Sequence, residues 1–114
     1  MKNTISIRSH IKLDDIAGLL DSASRGSEYW CENKLGYESE TDIALEKTSV
    51  GLCTLWDTEE ENAHILNLKK IKEGLTAMAK KEPKHFADFI AEDYDQTTGD
   101  VFLQCCLFGK VIYG

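Results

Sequence analysis

The spacing of apolar and polar positions changes along the chain, and each change marks an element. Ile5 and Ile7 alternate with Ser6 and Arg8, a period of two that predicts a short, half-buried edge strand over Thr4–Arg8. From Leu13 the period lengthens. Leu13, Ile16, Leu19, Leu20 and Ala23 recur at helical spacing, with Asp14 and Asp15 at the positive end and Gly26 as a stop, predicting a first helix over 13–24. Ser27–Glu32 (SEYWCE) is aromatic and free of Gly and Pro, which reads as a strand. Residues 34–47 scatter Leu35, Tyr37, Ile43, Ala44 and Leu45 among carboxylates, which predicts a loop with at most one short element.

Strand composition resumes in Val50–Asp57 and again in Ala63–Leu66. The two pair as an antiparallel hairpin across the acidic connection Thr58-Glu-Glu-Glu-Asn62. Asn67 then offers an N-cap to a second helix, whose Leu68, Ile71, Leu75, Met78 and Ala79 fall on one stripe. Lys69 and Lys70 stand in its first turn, where the helix dipole disfavours cations by roughly 0.3–1 kcal/mol each. Pro83 separates this helix from a third near 84–92, carried by Phe86, Phe89 and Ile90.

Asp93–Asp100 is loop composition, and Thr97-x-x-Asp100 is a variant capping box opening a fourth helix over about 98–108. In that helix only Gln104 is polar between Val101 and Phe108, and a helix apolar all round is buried all round. Gly109 suits the left-handed residue that ends it, and Val111–Tyr113 reads as a short strand inserted among the others. An apolar end of this kind must be buried, so the fold is expected to close on its last fifteen residues with little missing beyond Gly114. The expected architecture is α+β: one globular domain over 1–114, a small, mostly antiparallel sheet packed with about four helices, the C-terminal helix and strand buried.

Composition changes this picture little: 42% hydrophobic and 29% charged residues are ordinary for a globular domain. No apolar run approaches a membrane span, and Arg8, His10 and Lys12 interrupt the N-terminus where a secretory signal needs a continuous apolar stretch. A soluble, cytoplasmic protein is expected. Charge adds more. Residues 1–31 are neutral (four basic, four acidic), 32–61 carry −7 (two basic, nine acidic), 62–88 carry +3 (six basic, three acidic) and 89–114 carry −3 (one basic, four acidic). Such a field repels nucleic acid and membrane phosphates over most of the surface and favours a partner with a basic surface.

Candidate chemistry is sparse. Cys31, Cys53, Cys105 and Cys106 lack both a secretion signal and zinc-type spacing, so reduced, buried thiols are expected and no metal or cofactor. A cysteine nucleophile paired with His10, His64 or His85 has no local signature behind it. His85 with Lys80, Lys81 and Lys84 is a candidate anion site, as are Lys69, Lys70 and Lys72 at the start of the second helix; a solvated lysine face is the plainer reading of both. Trp30 and Trp56 are core residues by default. An exposed aromatic beside Asp57, Glu59, Glu60 and Glu61 would instead make a binding hot spot with a charged rim.

Leu75–Gly114 resembles a family of small uncharacterised proteins carried by bacteriophages, prophages and related mobile elements. The likeness rests on His85-Phe-Ala-Asp88, Asp100-Val-Phe-Leu-Gln104 and Phe108-Gly-Lys-Val-Ile-Tyr-Gly114, with Leu19-Leu20 and Gly26-Ser-Glu-Tyr-Trp30 upstream, about half of the chain. Cys105-Cys106 departs from the Leu-Ala type pair of that family, and residues 33–50 match nothing in it. The resemblance implies a habitat in a bacterial host cell and no particular reaction. Small acidic proteins of this kind often occupy surfaces of host machinery, inhibitors of bacterial defence systems such as anti-CRISPR proteins among them, an analogy of habitat only.

The resulting expectation is a non-enzymatic accessory protein acting by protein–protein binding, through Trp30, Trp56, Asp57 and Glu59–Glu61, on a host protein with a basic surface, with a homodimer left open. The alternative is a nucleotide-binding or sequestering protein using Lys69, Lys70 and Lys72 with an aromatic such as Trp30. A cysteine-dependent enzyme is the third and least supported reading.

Overall fold

The structure, a computed structural model, describes residues 11, 13–33 and 53–114. The strand expected over 4–8 and the loop expected over 34–47 lie outside the described residues. In chain order the elements are α1 (Leu13–Gly26), β1 (Cys31–Asn33), β2 (Cys53–Asp57), β3 (Asn62–Leu66), α2 (Leu68–Lys81), α3 (Pro83–Ile90) and α4 (Gln96–Phe108). The three strands form an antiparallel sheet in the order β1-β2-β3, and with the helices this is an α+β fold. No helix is long and apolar enough to cross a membrane.

α4 is the axis of the molecule, packed against α1 on one side and α2 on another, with α3 and β3 completing its surroundings. From Thr98 to Cys106 every residue of α4 is buried, the apolar run from Val101 as expected and Thr98, Asp100 and Gln104 with it. Helices approach this closely only where a side chain is missing. A Cβ on Gly99 would run into the backbone of Ser22 and Ala23 in α1, and one on Gly74 of α2 would run into Cys106. The core joins Leu19, Leu20 and Ala23 of α1, Leu55 and Leu66 of the sheet, Ile71 and Met78 of α2, Phe89 of α3, and Phe102 of α4.

The helix ends follow sequence chemistry with one adjustment. Asn67 caps α2 as expected, its Oδ1 accepting the Lys70 amide at 2.9 Å. Pro83 opens α3, the position where its missing N–H costs nothing. The start of α4 is not the Thr97 cap. Asp95 occupies that role, accepting the Thr98 amide at 3.1 Å, so the helix begins at Gln96. The Thr98 amide at a helix N-terminus also holds the Asp95 carboxyl below its ordinary range against a smaller upward push from burial.

Two strands differ from expectation. Ser27–Trp30 form a turn continuing from α1, with Trp30 N–H and Cys31 N–H both donating to the Ser27 carbonyl, and only Cys31–Asn33 pair in the sheet. Val111–Tyr113 are not a strand. The backbone there is satisfied by a side chain, Gln104, described below.

Candidate functional site

Strand alternation sets the site. On β2, Leu55 and Asp57 face the core and Trp56 the opposite side; on β3, His64 pairs with Leu55, Ala63 with Trp56, and Asn62 with Asp57. Asp57, at the end of β2, is therefore carried inward and is 0% exposed. A buried carboxylate must be fully bonded to be tolerated. Its Oδ1 accepts the amides of Glu59 at 2.8 Å and Glu60 at 3.0 Å, and its Oδ2 accepts the Tyr113 hydroxyl at 2.7 Å. Burial alone would push this carboxyl up, but the Tyr113 hydroxyl and the two amides outweigh it and hold the group below its ordinary range.

Those bonds fix the backbone of the hairpin turn. Four residues, Thr58–Glu61, join β2 to β3, and Glu61 closes the turn with φ 56, in the left-handed region. Glu59, Glu60 and Glu61 are all exposed. The turn thus presents three carboxylates to solvent on a backbone held from beneath by a buried one. Beside it, the outer face of the sheet carries half-buried Trp56, exposed Ala63 and Glu32, and Ile65 at 51% exposure.

Beneath lies a second carboxylate. Asp100, buried in α4, accepts the Tyr29 hydroxyl at 2.6 Å, the Trp30 indole N–H at 2.7 Å and Gln104 Nε2 at 3.0 Å. Burial, then the bond to Asp100 and its charge, push the Tyr29 hydroxyl up to about 12. Gln104 connects the two carboxylates: its Oε1 accepts the amides of Ile112 at 2.7 Å and Tyr113 at 2.8 Å, and its Nε2 reaches the Tyr113 carbonyl at 3.3 Å. The Tyr113 ring lies 5.2 Å from Trp30 and 5.9 Å from Phe108, and Phe108 meets His64 edge-on at 5.1 Å. Burial and then Lys70 hold His64 below its ordinary value, and among the described residues its Nε2 has no hydrogen-bond partner.

Of the residues expected to bind a partner, the structure brings Glu59, Glu60 and Glu61 together at the surface with Trp56 on the adjoining face. Trp30 and Asp57 are corrections. Trp30 is 0% exposed, its N–H spent on Asp100 and its ring packed against Phe108 and Tyr113, so it offers nothing to a partner. Asp57 supports the turn from inside rather than forming its rim. The same burial of Trp30 removes the aromatic platform paired with the lysines in the nucleotide reading. Lys69 and Lys72 are exposed and Lys70 half-buried on α2, while Lys72, Lys80 and Lys81 border a shallow groove with Gly109. The proposed His85 cluster is dispersed: His85 contacts Thr98, Lys81 donates to the Gly109 carbonyl, and Lys84 pairs with Asp88.

Cys31, Cys105 and Cys106 are buried, Cys105 and Cys106 as thiols. Burial, with Glu82 nearby, raises the Cys105 thiol to about 11, and burial raises Cys106 well above an ordinary thiol, so neither supplies a thiolate at neutral pH. Among the described residues no group of three or more His, Cys, Asp or Glu side chains is placed to hold a metal ion.

Sequence reasoning missed Tyr29, Asp100, Gln104 and Tyr113 as a connected set. Gln104 had a signal, as the one polar residue between Val101 and Phe108. The pairing of Asp100 with Trp30, seventy positions away, had none. Comparison of the chain with family models, curated proteins and solved structures gives no match.

Proposed function

We propose that this chain is a non-enzymatic accessory protein of a phage or mobile element that works by protein–protein binding, presenting the turn Glu59–Glu61 to the basic surface of a host protein. The observation that carries this reading is the Asp57 anchor. Two amides of the turn are bonded to one buried carboxylate oxygen, so the three exposed carboxylates sit on a preset backbone and lose less conformational freedom on binding. The charge distribution supports it, with −7 concentrated in residues 32–61. The resemblance to phage and mobile-element proteins supports a bacterial cytoplasm as the setting and a defence system as the kind of target. A homodimer is compatible with it, and direct nucleic-acid binding is disfavoured by the acidic field.

The test is capture from infected host lysate with the native chain and with Glu59, Glu60 and Glu61 changed together to Gln. A partner retained by the native chain at low salt should be lost from the triple variant and from the native chain at high salt. Equal retention of the same partner by both chains would refute the electrostatic reading.

A further inference from the structure

We propose that the outer face of the sheet, centred on Trp56, sets the specificity of the partner contact by taking an arginine side chain from the basic surface that meets the acidic turn. The inference rests on the binding role given above to Glu59–Glu61 and adds the group the partner must supply. Cross-strand pairing builds the face. Glu32 of β1 and Ala63 of β3 are the residues paired with Trp56 on its two sides, so the three side chains stand in one row, with Ile65 two positions further along β3. Glu32 and Ala63 are exposed, Ile65 is 51% exposed and Trp56 is half-buried. An alanine in the row is too short to cover the indole from the β3 side. The row therefore sets a carboxylate, an aromatic ring and an open flank side by side.

That arrangement suits a guanidinium. Its plane stacks on an indole while its fork of N–H donors reaches a carboxylate on the next strand, where Cβ atoms of directly opposed residues lie about 4.5–5.5 Å apart. An ammonium is a compact, strongly hydrated charge with no plane to stack, so it gains less from the pair. The surrounding charge agrees. Among the described residues the carboxylates of Glu32, Glu59, Glu60 and Glu61 enter no salt bridge, and no cation stands in the row. The acidic turn begins two residues beyond Trp56, so one basic surface can meet both. Ile65 offers apolar area to the stem of the incoming side chain. The turn attracts any cation, and the row tells arginine from lysine.

NMR titration of the isotope-labelled full chain at low salt with the peptides Lys-Lys-Arg-Lys-Lys and penta-lysine tests this, because the two carry equal charge. The arginine peptide should bind about two- to five-fold more tightly, the worth of one exposed cation–π contact, and should move the Trp56 indole signal with the amides of Glu32, Ala63 and Ile65. Glu32→Gln and Trp56→Leu should each bring that ratio towards one, and Trp56→Phe should keep part of it. Glu32→Gln changes an exposed position, so it decides the matter if Trp56→Leu disturbs the fold, which the amide signals of α4 report. Changing Glu59, Glu60 and Glu61 together to Gln should weaken both peptides alike and preserve the ratio. Equal affinities for the two peptides, or a ratio that Glu32→Gln leaves unchanged, overturns the arginine contact. Either result does so even where the triple variant loses the captured partner, so the two readings fail separately.

Discussion

Tyr113 donates its hydroxyl to Asp57 at 2.7 Å, and the other oxygen of that carboxylate holds the amides of Glu59 and Glu60. The acidic turn is therefore tied, through one side chain, to a segment 56 positions away in sequence. Tyr113→Phe cuts this tie and leaves the ring against Trp30 and Phe108. Hydrogen exchange should then quicken at the Glu59 and Glu60 amides while the amides of α4 keep their protection. Unchanged exchange in the turn would mean that Asp57 holds it without help from Tyr113.

Acid acts on the network through the Asp57 carboxyl, and alkali through the tyrosines bonded to the two carboxylates, Tyr113 on Asp57 and Tyr29 on Asp100. Asp57 has a folded pKa below its unfolded value of 3.8, so its stabilisation is complete above that value and is lost as pH falls through the folded pKa. Asp57→Asn should flatten the acid limb of a stability–pH profile. Tyr29 is the reverse case: its folded pKa of about 12 exceeds the unfolded 10.0, so its contribution is whole below pH 10 and is lost as pH rises from there towards 12. Tyr29→Phe should remove that alkaline loss in urea melts, and an unaltered alkaline limb would show that the bond to Asp100 does not persist in solution.

Gln104 carries more of the fold than its chemistry suggests. Gln104→Leu keeps the volume but strands the amides of Ile112 and Tyr113 and withdraws a donor from Asp100. An unsatisfied buried polar group costs about 1–3 kcal/mol, so the loss should be at least about 2 kcal/mol by chemical denaturation. A loss under about 0.5 kcal/mol would mean that water replaces the carboxamide freely.

How much of this was legible beforehand depended on distance along the chain. α1, α2, α3 and the hairpin were readable because each is encoded locally: the stripe Leu68–Ile71–Leu75–Met78, the Asn67 cap, Pro83 at a first turn, and alternation through Leu55–Trp56–Asp57. Errors came where a long-range partner overrode local preference. SEYWCE has strand composition, yet Trp30 is drawn into the core by Asp100, and the turn Ser27–Trp30 delivers it there. Val111–Tyr113 has strand composition too, and finds its strand partner in a glutamine side chain. In the candidate site the exposed glutamates followed from their position between two strands. That Asp57 faces inward required knowing which face of β2 is buried.

A last prediction sets helix propensity against packing. In isolation Gly99→Ala would favour α4 by about 1 kcal/mol, since glycine is the poorer helix former. In the fold, the added Cβ would overlap the backbone of Ser22 and Ala23, which cannot move aside as a flexible side chain can. Overpacking of a core typically costs about 1–3 kcal/mol, and a backbone obstacle puts this site at the upper end, so packing wins by about 2 kcal/mol. Glu92→Gly provides the opposite case. Glu92 is exposed just beyond α3 with φ 57, where a non-glycine residue pays about 1 kcal/mol for its left-handed backbone. The two glycine exchanges should therefore move the unfolding midpoint in opposite directions, Gly99→Ala down and Glu92→Gly up. A stabilised Gly99→Ala chain would mean that α1 and α4 are farther apart in solution than this packing allows.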